Sequence, residues 1–493
     1  MLDLEQEQLL AQLSNTTLVN FVSDVYGIDK ILDKKIERLL LQSDKPKLIK
    51  KLTTTLKGLR RRRKYIDYWE SSEFATELHH LASDVMSLYP KQPQVCLELL
   101  EYFIESTNSS MQRCDDSNGE VGQVYSELAH SWVTVASTCY AQQKDAVPTD
   151  EQDILSQAWQ NRIKAMIADN DYGTKDDILL GINQLLSPFE IRGLIMDYQQ
   201  QYEAILVKKV DSNNSTEYSE NSDYEVKYAI NKERYSVERT LKKLAKSLGD
   251  VALFETVYRT IYPENPLPPH KLDELLEFLI DNEAYEVAEH YLQDEWQSER
   301  LQDRVKRLDW LSKIYNKQED NISLMTVLGE AFELQSTPAR LKSIMSIATP
   351  AQQSQWRKKA HELAGQQDNI VTAVSLLLEI KEVTLANQIA ITRHSELADV
   401  HYTTLTSMLK TLPEDTYLIQ VIIYRSLLND ILDSGRSKAY GHAARYYNRI
   451  QQIDDTLIAN RISYQSLPTH IIYDEALQVK HGKKRSFWER VND

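Results

Sequence analysis

The chain has few cysteines for its length. Cys96, Cys114 and Cys139 are the only three in 493 residues, and no two stand in CxxC spacing. That argues against a disulfide framework and predicts a reducing compartment. Glycine and proline number 13 each, so long stretches run without a helix breaker. Apolar runs such as Leu418–Tyr424 are far too short to span a bilayer, so no membrane partner is expected. The N-terminus, MLDLEQEQLL, is acidic and amphipathic and lacks the basic start of a signal peptide. A cytoplasmic protein is the expectation. Several reaction signatures are also missing: HExxH, GxxxxGK[ST], GxSxG, and any Cys/His spacing suited to zinc. No catalytic residue, metal ligand or cofactor is therefore nominated, and a non-catalytic role is expected.

What is present reads as helix. Apolar residues recur at three- and four-residue intervals, and 42% of residues are hydrophobic, enough for a sizeable core. The formal net charge of −16 opposes indiscriminate binding to nucleic acid or anionic membranes by the chain as a whole. The predicted fold class is all-α, in three parts. Residues 1–210 form a helical N-terminal domain. Residues 211–227, rich in Ser, Asn and acids, read as a polar linker or loop. Residues 228–493 read as tandem helical hairpins with short connections, a tetratricopeptide-like α-solenoid ending in a basic, aromatic tail. Candidate helices there include 320–334, 351–365, 396–410 and 415–433. Ala360, Ala364, Ala373 and Ala386 are small enough for close helix contacts.

Two basic segments stand out against this acidic background. Lys45–Lys64 holds ten Lys or Arg and no acid. Leu48, Leu52, Leu56, Leu59 and Ile66 keep helical spacing through it, which predicts a basic amphipathic helix with Pro46 in its first turn. On the helical wheel Arg63 falls inside the apolar stripe, where an unpaired charge is costly, so it needs a partner. Tyr65, Tyr68 and Trp69 follow directly. Arg60, Arg61, Arg62 and Lys64 are candidate anion- or partner-binding residues. The alternative is a solvated helix face whose aromatics pack on a neighbour. The second segment, Lys480–Trp488, offers Lys483, Lys484 and Arg485 in the same role. Phe487 and Trp488 are expected to anchor the tail by packing.

Between two long helical patterns lies Arg113–Gly122, RCDDSNGEVG, where acids, turn formers and glycines are densest. Asp116, Asn118 and Gly119 match three positions of a calcium loop, but Cys114 and Tyr125 fail its first and last. The stretch reads instead as a turn capping a helix over 120–140, through Asp115, Asp116, Ser117 or Asn118. A second expectation is an ion-pair clasp in which Asp115 or Asp116 meets Arg63 or a neighbouring arginine.

Three stretches together, LRRRRKYIDYWE (59–70), RCDDSNGEVGQVY (113–125) and SKAYGHAARYYNRI with HGKKRSFW near the C-terminus, resemble an uncharacterised bacterial family of helical proteins, a domain of unknown function. Some relatives carry a SWIM-type zinc finger ahead of the helical part. This chain has no CxC…CxH finger, so the nucleic-acid role such a finger implies is not carried over. The resemblance implies a helical, tetratricopeptide-like architecture. The leading functional expectation is a scaffold that binds another protein. The alternatives are nucleic-acid binding through 45–64 and 480–490, and a hydrolase or nuclease-like activity at the Arg/Asp cluster.

Overall fold

The structure is a computed structural model, and it describes residues 4–214 and 220–492. The chain is all-α: apart from one isolated bridge, the described residues are helices and their connections. No described helix is long and apolar enough to cross a membrane. The chain divides into two compact units, Met1–Glu264 and Asn265–Asp493.

The first unit is centred on the long helix Glu120–Ala146. One face of it, including Val121, Val124, Tyr125, Leu128 and Trp132, is buried. The helices Tyr68–Met86 and Pro93–Ile104 pack against it. Trp132 carries its indole N–H into this core, where it donates to Glu101 Oε1 at 3.1 Å. Arg162 holds the same carboxylate through Nε and Nη2 at 2.6 and 2.9 Å, so the buried indole and the carboxylate both have partners. The helix Lys30–Leu40 is fixed to Tyr68–Met86 by an ion pair between the buried Arg38 and Asp84, with Lys35 at 2.8 Å from the same acid. All three cysteines are buried and unbridged, and burial pushes the Cys96 thiol up to about 12.

The polar stretch 211–227, expected to link two domains, does not separate the two units. The helices Pro188–Asn214 and Glu220–Ser247 reach into it from either side and pack on each other within the first unit. Tyr202 and Ile205 on one helix, with Val237 and Leu241 on the other, bury the apolar surface that joins them. Residues 215–219 lie outside the described residues.

In the second unit each helix packs on the next along much of the chain, from Leu301–Lys317 and Asn321–Leu334 to Tyr417–Asp433 and Tyr440–Ala459. Helix starts follow local chemistry. Asp320, Thr337 and Asn369 cap their helices, and Thr349 forms a reciprocal capping box with Gln352. Small residues set the close approaches. Ala360, Ala364, Ala373 and Ala386 are buried, and a Cβ on Gly329 would lie 2.7 Å from the Trp356 ring. The expected helix over 396–410 is two elements, a 3₁₀ turn His394–Asp399 and a helix Tyr402–Thr411. After His470–His481 a further helix, Arg485–Asn492, turns back onto Tyr440–Ala459.

Candidate interaction surfaces

The basic helix forms over Lys45–Arg61, started by Asp44, whose side chain accepts from Lys47 N, with Pro46 in the first turn. Leu48, Leu52, Leu56 and Leu59 are all buried, so the apolar stripe is where the spacing puts it. The wheel fails only at its end. Arg62 already has extended backbone angles, so Arg63 lies beyond the helix and outside the stripe. It is exposed, and among the described residues it has no ion-pair partner.

Much of this positive charge is met within the chain. Lys47 pairs with Asp44 at 2.7 Å, Lys51 with Glu37 at 3.2 Å and Arg60 with Glu105 at 2.5 Å. Lys64 pairs with Glu70 at 2.9 Å. Arg62 grips Glu77 with both Nη atoms, at 2.9 and 3.1 Å. Lys34 adds a third contact to Glu77 at 2.8 Å. Burial alone would raise the Glu77 carboxyl, but hydrogen bonds from Arg62 and Lys34 outweigh it and hold the group at about 2. Of the cations on this segment, Lys50, Lys57, Arg61 and Arg63 are exposed and have no salt bridge among the described residues, and Lys57 Nζ lies over the Tyr102 ring at 5.6 Å.

The expected clasp between Arg63 and Asp115 or Asp116 is not the one observed. Asp116 spends both oxygens on the following helix, accepting from Val121 N at 2.9 Å and Gly122 N at 2.8 Å. Asp115 accepts from Ser117 N at 3.2 Å. The reason is local: helix-start N–H groups lie within reach and have no other partner. Both glycines serve this cap. Gly119 sits at φ 75°, and a Cβ on Gly122 would stand 3.2 Å from Asp116 Oδ2.

The two segments do meet, by other means. Ile66 N donates to Arg113 O at 2.8 Å and Asp115 N to Ile66 O at 2.9 Å, a single parallel bridge between Ile66 and Cys114. Asn118 Nδ2 reaches Ser71 Oγ at 3.0 Å and Ser72 Oγ at 3.2 Å. The buried cation of this seam is Arg113. Its guanidinium lies 4.6 Å from the Phe74 ring centre, and Nη1 donates to Lys64 O at 3.4 Å. Its place at the head of the turn-rich stretch Arg113–Gly122 is the one sequence clue to that role.

This seam presents aromatic side chains to solvent. Trp69 is 86% exposed and packs edge-on against Tyr68 at 5.3 Å, and Tyr65 is exposed beside them. An exposed tryptophan of this extent is unusual unless something covers it.

The C-terminal basic run behaves differently. Phe487 is fully buried against Tyr440 and Tyr447, and Trp488 Nε1 donates to His481 O at 3.1 Å. Lys480 and His481 both hold Asp433, at 2.6 and 2.9 Å. Lys484 reaches Tyr440 Oη at 3.3 Å. Lys483 and Arg485 are the exposed remainder, and Arg485 borders a hollow of about 530 Å³ with Tyr447 and Trp488. Among the described residues no three His, Cys, Asp or Glu side chains are placed to hold a metal ion.

A family model described as a family of unknown function, DUF6880, matches residues 4–490. The match spans nearly the whole chain, and the chain belongs to that family. No curated protein and no solved structure matches it.

Proposed function

We propose that this member of DUF6880 is a non-catalytic, cytoplasmic helical-repeat scaffold that binds another protein through the face formed by Arg61, Arg63, Tyr65, Tyr68 and Trp69. The observation that carries this reading is the exposed Trp69 and Tyr65 beside two cations that have no internal acid partner. Aromatic and arginine side chains are the residue types that anchor protein interfaces. The partner surface that fits them is acidic with an apolar centre. Helix-on-helix packing through the second unit supports the repeat reading, since such arrays present extended faces to partners.

Nucleic acid is the weaker reading of the same face. Phosphate binding needs many uncommitted cations, whereas Lys47, Lys51, Arg60, Arg62 and Lys64 are each committed to a carboxylate. In the C-terminal run Lys480 is likewise committed. A hydrolytic Arg/Asp cluster is not favoured either, because Asp116 and Asp115 accept from the chain's own donors.

The test is affinity purification of the full chain from its host, with and without nuclease, beside a variant carrying Trp69→Ala, Arg61→Glu and Arg63→Glu. The reading expects one recurrent protein, retained after nuclease and lost with the variant. Recovery that disappears with nuclease would transfer the face to nucleic acid. A protein retained equally by the variant would remove the face from the account.

A further inference from the structure

The segment before the helix Lys30–Leu40 has no core to rest on. It forms two helices, Leu4–Ala11 and Asn15–Val25, the second started by Ser14, whose hydroxyl accepts from Thr17 N at 3.1 Å. Among the described residues from Glu5 to Ile28 no side chain is buried. Leu9, Leu13, Val19, Phe21, Tyr26 and Ile28 are all exposed, Phe21 to 64% and Ile28 to 77%. Yet Asn15–Val25 is amphipathic: Leu18, Phe21, Val22 and Val25 fall on one side at three- and four-residue spacing. An isolated helix shorter than about 12–15 residues is marginal in water, and this one has 11. Its apolar stripe therefore needs a surface to cover it.

The charge of the segment says which surface. It carries Glu5, Glu7, Asp24 and Asp29 and no Lys, Arg or His. Asp29 is spent on the next helix, accepting from Ile31 N at 2.9 Å and Leu32 N at 2.8 Å. Glu5 and Asp24 are exposed and pair with no cation among the described residues. Asp24 stands three residues from Phe21, so an acid and a ring are neighbours on the helix surface. That is the complement of the face formed by Arg61, Arg63, Tyr65 and Trp69, where unpaired cations accompany an exposed indole.

Segment and face lie toward the same end of the first unit. Lys34 pairs with Glu77 and Arg38 with Asp84, which sets Lys30–Leu40 alongside Tyr68–Met86 in the same direction. The segment joins the first of these helices at its start, and Trp69 stands at the start of the second. The joint is fixed, since Gly27, at φ 93°, donates its N–H to Asp33 Oδ1 at 2.7 Å. It holds the segment with its apolar stripe open rather than folded onto its own chain.

We propose that the protein bound by the Arg61–Trp69 face is a second copy of this chain, whose helix Asn15–Val25 lays Phe21 on Trp69 and Tyr65 and brings Asp24 to Arg61 or Arg63. The inference rests on the reading of that face as a protein-binding one and names its partner. Because segment and face share one end, two copies related by a two-fold axis exchange segments, each covering the other. The exchange makes the contact twice, which brings a short helix toward the roughly 1,200 Å² that stable interfaces bury.

The experiment is sedimentation equilibrium of the purified full chain across micromolar concentrations, beside Phe21→Glu and a variant carrying Trp69→Ala, Arg61→Glu and Arg63→Glu. All four side chains are exposed, and each variant is checked for an unchanged melting temperature. The expected result is a parent chain that approaches twice its monomer mass, and a dimer weakened about tenfold or more in either variant. Mixing the two variants leaves one intact segment and one intact face, and is expected to restore a pair weaker than the parent dimer but tighter than either variant alone. A monomeric parent, a dimer that either variant leaves intact, or no association in the mixture would overturn the assignment. A monomeric parent together with recovery of a different protein, lost with the variant of the face, would overturn this assignment and leave the reading of the face in place.

Discussion

Arg113 in the first unit and Arg425 in the second are buried to the same degree and satisfied in the same way. Each is 8% exposed, each stacks on an aromatic ring, and each gives Nη1 to a backbone carbonyl. Each leaves Nε and Nη2 without a partner among the described residues. Burial pulls both guanidinium groups below their ordinary range. They differ in what surrounds the fork. Arg113 is built into a seam where Ile66 and Cys114 share a backbone bridge, and the exposed surface there is aromatic. Arg425 is built into a cavity wall whose acids are already neutralised. Arg113 thus joins two stretches of chain through Lys64 O, and Arg425 ties the helix Tyr417–Asp433 to the turn at Pro468.

The comparison breaks most visibly at the platform under Arg113. Phe74→Ala removes a buried ring and the surface on which the guanidinium rests, and the expected cost is about 3–5 kcal/mol, read from denaturant unfolding. A cost below that of an ordinary surface change would mean the seam does not depend on this contact.

Acid comes next. Glu77 is lowered from 4.5 to about 2 in the folded chain, so it stabilises the fold above pH 4.5 and loses that contribution as pH falls from 4.5 through about 2. The contribution is at most about 3 kcal/mol, less what solvent screens at the partly exposed Arg62. Glu77→Gln should remove this part of the acid sensitivity, visible as a flatter stability profile between those pH values. An unchanged profile would show that the Arg62–Glu77–Lys34 cluster does not tie the basic helix down.

Asp116→Ala tests the cap and should cost about 1–2 kcal/mol. The smallest effect belongs to the arginine itself. Arg113→Met keeps the volume and removes two unmet donors along with the charge, so stability should move by about 1 kcal/mol or less. A loss several times larger would mean that Nε or Nη2 of Arg113 has a polar partner in solution.

How much of this was legible in the sequence depended on distance along the chain. The stripe Leu48–Leu59, the first-turn Pro46 and the turn before Glu120 follow from spacing and turn chemistry over a few residues, and each is where those rules put it. The Arg63–Asp116 pairing failed because the wheel was carried past the helix end at Arg61. It failed also because helix-start N–H groups next to Asp116 compete with any distant arginine. The anchor role of Phe487 could be read from an aromatic pair in a polar tail, but its neighbours Tyr440 and Tyr447 lie some forty residues away in the chain. The Arg425 cavity was not legible, since its wall is drawn from residues 394 to 473 and only folding brings them together. Its one local sign was a lone base within an apolar helix.

The most direct test is one affinity purification run under the same conditions with the full chain, with Arg113→Met, and with a variant carrying Trp69→Ala, Arg61→Glu and Arg63→Glu. The account predicts that Arg113→Met recovers the same protein as the parent chain while the variant of the exposed face loses it. Equal recovery by all three chains, or loss with Arg113→Met alone, would contradict it.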